Sequence, residues 1–283
     1  MIDKEKTIIS CAVTGAVAPK SVNPHVPVTP EEIAACVYDV WKAGAAIVHL
    51  HMRKQDDIEI GTMDAELFKE TIRLIRNYKD CDIIINCTSS GDLSYEDEIR
   101  YKPFTMIPEI EIGSYDIGTF NWNDMFVFYN TPEFLHKLHA VYDEYDVKPE
   151  VEIFSYNMLK NAEMYLNNGR LKEPLFCQFM LGVGGMMEAN VENLFYLVNH
   201  LPKGSIWSCS GIGTAHVPMM YAALAMGGNI RVGLEDNLYY SRGVVASNTM
   251  LVERAVRLVK EFGKRPATPA ETRKMLGIKP LVR

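Results

Sequence analysis

The stretch Thr29-Pro30-Glu31-Glu32-Ile33-Ala34-Ala35-Cys36-Val37-Tyr38-Asp39-Val40-Trp41-Lys42-Ala43-Gly44-Ala45-Ala46-Ile47-Val48-His49-Leu50-His51 contains one complete helix-then-strand unit. Thr29 offers an N-cap, Pro30 suits the first helical position, and Glu32 can reach back to complete a capping box. Ile33, Ala34, Val37 and Trp41 then share one helical face. The apolar run at 45–51 reads as a buried strand. The same alternation extends in both directions. Short apolar runs lie at 7–13, 45–51, 82–87, 106–113, 147–154, 175–182, 205–210 and 230–235. They start roughly every 32 residues, the length of a βα unit. Helix signals fall between them: Asp64 before Leu67, Phe68, Ile72 and Ile75; Thr131-Pro132-Glu133; and Leu251, Ala255, Leu258, Val259 and Phe262, closed by Gly263.

Strict alternation requires a parallel sheet covered by helices. Eight strands select a closed (β/α)8 TIM barrel over an open doubly wound sheet, and its length of 283 residues suits one such domain. We therefore expect a single α/β barrel domain over 1–283. Residues 265–283 form a short C-terminal helical extension that opens on a second capping box, Thr268-Pro269-Ala270-Glu271. The third unit is the weakest, since 92–100 leaves room for only a short helix, and the eighth run should lead into a helix near Leu238. The formal charge of −7 lacks the basic excess of a nucleic-acid protein. No apolar stretch approaches the roughly 20 residues of a membrane span, and the N-terminus has no signal-peptide pattern. Six cysteines without a C-x-x-C pair fit reduced core thiols in a cytoplasmic protein.

Barrel chemistry sits at the C-terminal ends of the strands. His49 and His51, at i and i+2 of the second run, share a strand face and can aim at one metal. Barrel closure sets strand eight beside strand one and strand one beside strand two, so Glu235 can approach the pair across the mouth of strand one. Two neutral imidazoles, a carboxylate and an open position make up a catalytic zinc site. The competing reading has Glu235 and Asp236 capping the next helix, and it suits Asp236 better. Arg231 should point inward with Glu235, and a buried guanidinium needs a partner. Glu109 and Glu111 on strand four, and Glu150 and Glu152 on strand five, are the inward carboxylates. Glu152 lies nearest the functional rim, with Glu150 as the alternative. The loops Thr88-Ser89-Ser90-Gly91, Gly182-Val183-Gly184-Gly185 and Gly211-Ile212-Gly213-Thr214 are small enough to approach an anion, though each also reads as a tight turn.

Taken together, Ala12-Val13-Thr14-Gly15-Ala16, His49-Leu50-His51-x-Arg53, Asn86-Cys87-Thr88-Ser89-Ser90-Gly91, Pro149-Glu150-Val151-Glu152-Ile153-Phe154, Leu181-Gly182-Val183-Gly184-Gly185 and Gly227-Gly228-Asn229-Ile230-Arg231-Val232-Gly233-Leu234-Glu235-Asp236-Asn237 resemble the β-keto acid cleavage enzyme family across essentially the whole chain. The resemblance implies a zinc-dependent barrel that condenses a β-keto acid with acetyl-CoA, releasing acetoacetate and a new acyl-CoA. It implies His49, His51 and Glu235 as zinc ligands, Asp236 with Arg231 as the proton-abstracting dyad, Glu152 as the strand-five carboxylate, Ser89 and Ser114 as substrate-binding residues, and a homotetramer. Members acting on an aminated keto acid carry an acidic residue just after Thr-Gly-Ala, where this chain has Val17. Thr214 stands where a basic residue is common. Val17 follows strand one, between the ligands of strands two and eight, so it should line the pocket near the substrate tail. A valine cannot compensate an ammonium, which directs the expectation to an uncharged or apolar keto acid. A metal-dependent aldolase or hydrolase on the same barrel, and a non-catalytic barrel binding an acyl-CoA or metabolite, are the alternatives. A His-x-His on strand two rather than strand one counts against hydrolysis.

Overall fold

A computed structural model of the chain describes residues 5–90 and 96–281; Gly91, the end of the third-strand loop, lies outside them. Eight parallel strands close into a barrel: β1 (Ile9–Ala12), β2 (Ile47–Leu50), β3 (Ile84–Cys87), β4 (Ile112–Asp116), β5 (Lys148–Ile153), β6 (Phe176–Leu181), β7 (Ile206–Gly211) and β8 (Asn229–Val232). Each pairs with its sequence neighbours, and β8 pairs with β1 in the register Ile230 to Ile9. The expected (β/α)8 architecture is therefore the observed one. The capping signals work as their chemistry requires. Thr29 and Thr268 each form a reciprocal capping box, while Asp64 and Thr131 accept from backbone N–H groups of the first turn.

The barrel interior changes character along its axis. At the N-terminal end Ile47, Ile84, Ile112, Phe176 and Ile206 form an apolar plug, packed from below by Leu276 of the C-terminal helix (Pro269–Leu276). Burying a leucine of this kind contributes roughly 1.5–3 kcal/mol, so the extension closes the barrel floor. Above the plug the inward positions turn polar: His49, Asn86, Ser114, Glu150, Gln178 and Arg231 are all buried. The alternate residues, including Cys11, Cys87, Cys177 and Cys209, face the helical layer. All six cysteines are free thiols. Among the described residues no helix is long and apolar enough to cross a membrane.

Three local expectations are corrected. The fourth strand is Ile112–Asp116 rather than 106–113, because the preceding helix runs from Asp97 to Met106 and Pro108 cannot join a ladder. Glu109 is consequently exposed ahead of the strand. Glu111 lies at the barrel floor, where Arg273 donates to it at 2.5 Å and Arg76 at 3.3 Å. Neither glutamate faces the functional rim; the inward pair of this strand is Ser114 and Asp116. No helix begins near Leu238. A short hairpin (Tyr239–Ser241, Val244–Val245) intervenes, and the helix starts at Asn248 under a Ser247 cap.

Candidate active site

His49 near the end of β2 and His51 just beyond it are buried side by side, their ring centroids 5.0 Å apart. Across the mouth of β1, Glu235 Oε1 lies 3.8 Å from His49 Nε2 and Oε2 lies 3.5 Å from His51 Nε2. These separations exceed a hydrogen bond, and Glu235 Oε2 is buried without a hydrogen-bond partner among the described residues. They match the roughly 3.4 Å between N and O donors that tetrahedral zinc holds at about 2.1 Å each. Burial pushes the His49 pKa down to about 3, so its imidazole is neutral and its ring nitrogen free to ligate. Burial pushes Glu235 up, but His51 and Arg231 outweigh it and hold the carboxylate well below its usual range. The donor set and its spacing fit a divalent metal such as zinc. His49 also lies near Glu150 and Glu152, with one donor atom of each within 4.8 Å of the others.

Arg231, on β8, is the electrostatic hub beneath this cluster. Its Nη1 donates to Glu152 at 3.1 Å and its Nη2 to Glu235 at 2.6 Å. Nε and Nη2 reach the two oxygens of Asp236 at 3.1 and 3.2 Å. Ser210, at the end of β7, adds a 2.6 Å hydrogen bond to Asp236. Burial raises the Asp236 pKa against the pull of Arg231, leaving a more proton-hungry carboxylate than a surface aspartate. Strand alternation alone does not bring Arg231 and Asp236 together. The strand ends at Val232, and Gly233 turns with φ 140°, where an added Cβ would sit 2.0 Å from Ala12 O. That turn aims consecutive Glu235 and Asp236 at one site. Asn248 pins it, accepting from Leu234 N–H at 2.9 Å and donating to Val13 O at 2.9 Å. Arg53 holds the facing β1 loop by donating to Gly15 O and Ala18 O, each at 2.7 Å.

Glu150 and Glu152 are both buried, but only Glu152 lines the cavity at this rim and touches Arg231; Glu150 accepts from Asn86 at 2.6 Å. Ser114 lines the cavity, whereas Ser89 turns its hydroxyl to Ser114 O at 3.0 Å and leaves Thr88 and Ser90 to line the cavity. Asp116, which the sequence reading missed through the misplaced fourth strand, also lines the cavity. It accepts from Ser90 at 3.1 Å and hydrogen-bonds Glu152. Burial, then the Asp116 charge, pushes Glu152 well above the usual carboxylate range.

The cavity holds about 280 Å³. Much of its lining is apolar: Trp122, Phe126, Phe128, Phe154, Met180 and Val183, together with Ala16 and the exposed Val17. The first three belong to a hairpin (Phe120–Trp122, Phe126–Phe128) inserted after β4. Its turn seats on the loop after β6: a Cβ on Gly184 would fall 2.1 Å from Asn123 Nδ2. That glycine admits the hairpin, and Gly182 and Gly184 of the same loop also line the cavity. Aromatic spacing within 120–128 was the available signal for the wall, although its place over the site depends on the fold.

The chain matches the family described as beta-keto acid cleavage enzyme over residues 6–278. It is 40% identical over 276 residues to the 3-keto-5-aminohexanoate cleavage enzyme of Fusobacterium nucleatum, covering 97% of this chain and 99% of that protein. It is 33% identical to the 3-dehydrocarnitine:acetyl-CoA trimethylamine transferase of Rhizobium meliloti, covering 96% of each. The apo structure of ObcA superimposes with a TM-score of 0.82 at 20% identity, over 90% of this chain and 66% of that one, a likeness of fold. With the whole barrel and its rim matched at this level, the chain belongs to the beta-keto acid cleavage enzyme family.

Proposed function

We propose that this protein is a zinc-dependent enzyme that condenses a β-keto acid with acetyl-CoA, giving acetoacetate and the CoA ester of the remaining acyl group. The observation that carries the reading is the carboxylate of Asp236, oriented by Arg231 and Ser210 beside the cluster of His49, His51 and Glu235. Zinc held by those three residues would act as a Lewis acid on the keto acid. Asp236 takes a proton from the carbon between ketone and carboxylate. That carbon attacks the acetyl carbonyl and the CoA thiolate leaves. The thiolate adds to the former ketone carbon, the old carbon–carbon bond breaks, and the proton returns, so atoms and charge balance. Arg231 keeps Asp236 and Glu152 in place, and Ser114 and Ser90 offer hydroxyls to the substrate's polar end.

The tail would meet the aromatic wall and Val17, which supports an uncharged or apolar keto acid. Asp116 is already engaged by Ser90 and Glu152. We assign a single domain over 1–283, with 265–283 as its extension, supported by the packing of Leu276 into the barrel floor. We place the enzyme in the cytoplasm as a homotetramer; free thiols support the first and family resemblance the second. The test is incubation of zinc-loaded protein with acetyl-CoA and a panel of β-keto acids. Acetoacetate formed in step with a new acyl-CoA is the expected result; none with any acid would overturn the reading.

A further inference from the structure

Arg53 follows His51 by two residues and is fully buried. Among the described residues, all its hydrogen bonds go to backbone carbonyls. Nε donates to Gly15 O at 2.7 Å and Nη2 to Ala18 O at 2.7 Å, with Thr14 O at 3.5 Å; Nη1 donates to Ile58 O at 3.1 Å. A buried guanidinium ordinarily takes a carboxylate partner. This one instead spends its planar fork on the loop after β1. The loop it grips is the one that Glu235 rests against. Gly15 has φ 68°, and an added Cβ would lie 2.7 Å from Glu235 Cγ and 3.1 Å from Glu235 Cα. Bare backbone at Gly15 is thus a wall at the base of the Glu235 side chain.

The segment that supplies two of the three clustered donors therefore also fixes the wall behind the third. His49 and His51 set one side of the cluster, and Arg53, two residues on, sets the loop that keeps Glu235 3.8 and 3.5 Å from their Nε2 atoms. We infer that Arg53 is a positioning residue for the metal centre, clamping Gly15 so that Glu235 stands at ligating distance from both histidines. The inference rests on the zinc reading above. Charge alone predicts the opposite sign. Arg53 is close enough to Glu235 for the two charges to act on each other. Removing a cation beside the site lowers the repulsion of an incoming divalent metal and would tighten binding. Releasing the loop weakens it.

The test measures zinc affinity by competition with a chromophoric chelator, on metal-free protein shown by circular dichroism to be folded at the same temperature. Arg53→Met should weaken zinc binding roughly ten- to a hundredfold, as loss of a group that orients a metal ligand does. Arg53→Lys keeps the buried cation but not the fork, and its affinity should fall between the two. Wild-type or tighter affinity in either folded variant would overturn the inference, even with a lowered melting temperature, because a merely structural arginine moves stability and not the zinc constant. That outcome leaves the zinc reading standing. A wild type that binds no zinc would end both. If Arg53→Met does not fold, Arg53→Lys decides by the same criterion.

Discussion

Arg231 and Asp236, five positions apart, meet in a two-pronged ion pair with Nε to Oδ2 at 3.1 Å and Nη2 to Oδ1 at 3.2 Å. The same guanidinium holds Glu152 and Glu235, so a single cation anchors both the proposed base and a proposed metal ligand. Asp236 itself is not one of the clustered donor residues His49, His51 and Glu235, so it can be tested separately from the metal.

Asp236→Asn keeps the shape and the Ser210 contact but cannot take a proton. Turnover should fall roughly a hundred- to ten-thousand-fold while zinc content stays at the wild-type level. Loss of zinc affinity with normal turnover at saturating zinc would instead make Asp236 a support for the metal ligands.

The double change His49→Ala/His51→Ala removes two of three donors, and an open site has none to spare. Metal analysis should find the zinc lost. Added zinc should no longer raise the melting temperature of chelator-treated protein, as it would for the wild type. Unchanged metal content and activity would dispose of the site.

Glu150 lies below the reacting groups, and burial pushes its pKa up from 4.5 to about 7. The native state therefore keeps a proton that the unfolded chain has released, and this group's contribution to stability is lost as pH rises from about 4.5 to about 7. Glu150→Gln cannot titrate, so on metal-free protein its stability relative to the wild type should improve between about pH 5 and about pH 8. Denaturant melts at both pH values measure this, and an unchanged difference would contradict the assignment. Its turnover should also exceed that of Glu152→Gln, which alters a contact to Arg231.

Val17→Glu places a carboxylate in the lining of the cavity that Trp122, Phe126 and Phe128 also line. It should shift kcat/KM toward 3-keto-5-aminohexanoate relative to an apolar 3-oxo acid, since it supplies a counter-charge to the ammonium of the first. Comparing both acids in both proteins is decisive. A wild type that already prefers the amino acid, or an unchanged ratio, would show that Val17 does not govern specificity.

Legibility followed the range of the interactions. Caps at Thr29, Asp64, Thr131 and Thr268 are local chemistry and were readable from three or four residues each. His49 and His51 were readable because a strand's period of two sets a shared face without reference to the rest of the chain. The fourth strand was misread because an apolar run does not distinguish the end of a helix from the start of a strand. That error hid Asp116 and left the aromatic hairpin as undifferentiated loop.

By itself the sequence determined the barrel, the shared face of the two histidines and the approach of Glu235 to them, since alternation, capping and strand closure are rules of local periodicity and strand order. Only the tertiary structure decided how Asp236 joins Arg231, which of Glu150 and Glu152 reaches the cavity, and what walls the substrate tail. The reason is geometric. Along a strand consecutive residues point to opposite faces, but at Gly233 the chain leaves the strand, and the directions of Glu235 and Asp236 are set by β1 and Asn248, which pack against that turn from far away in sequence.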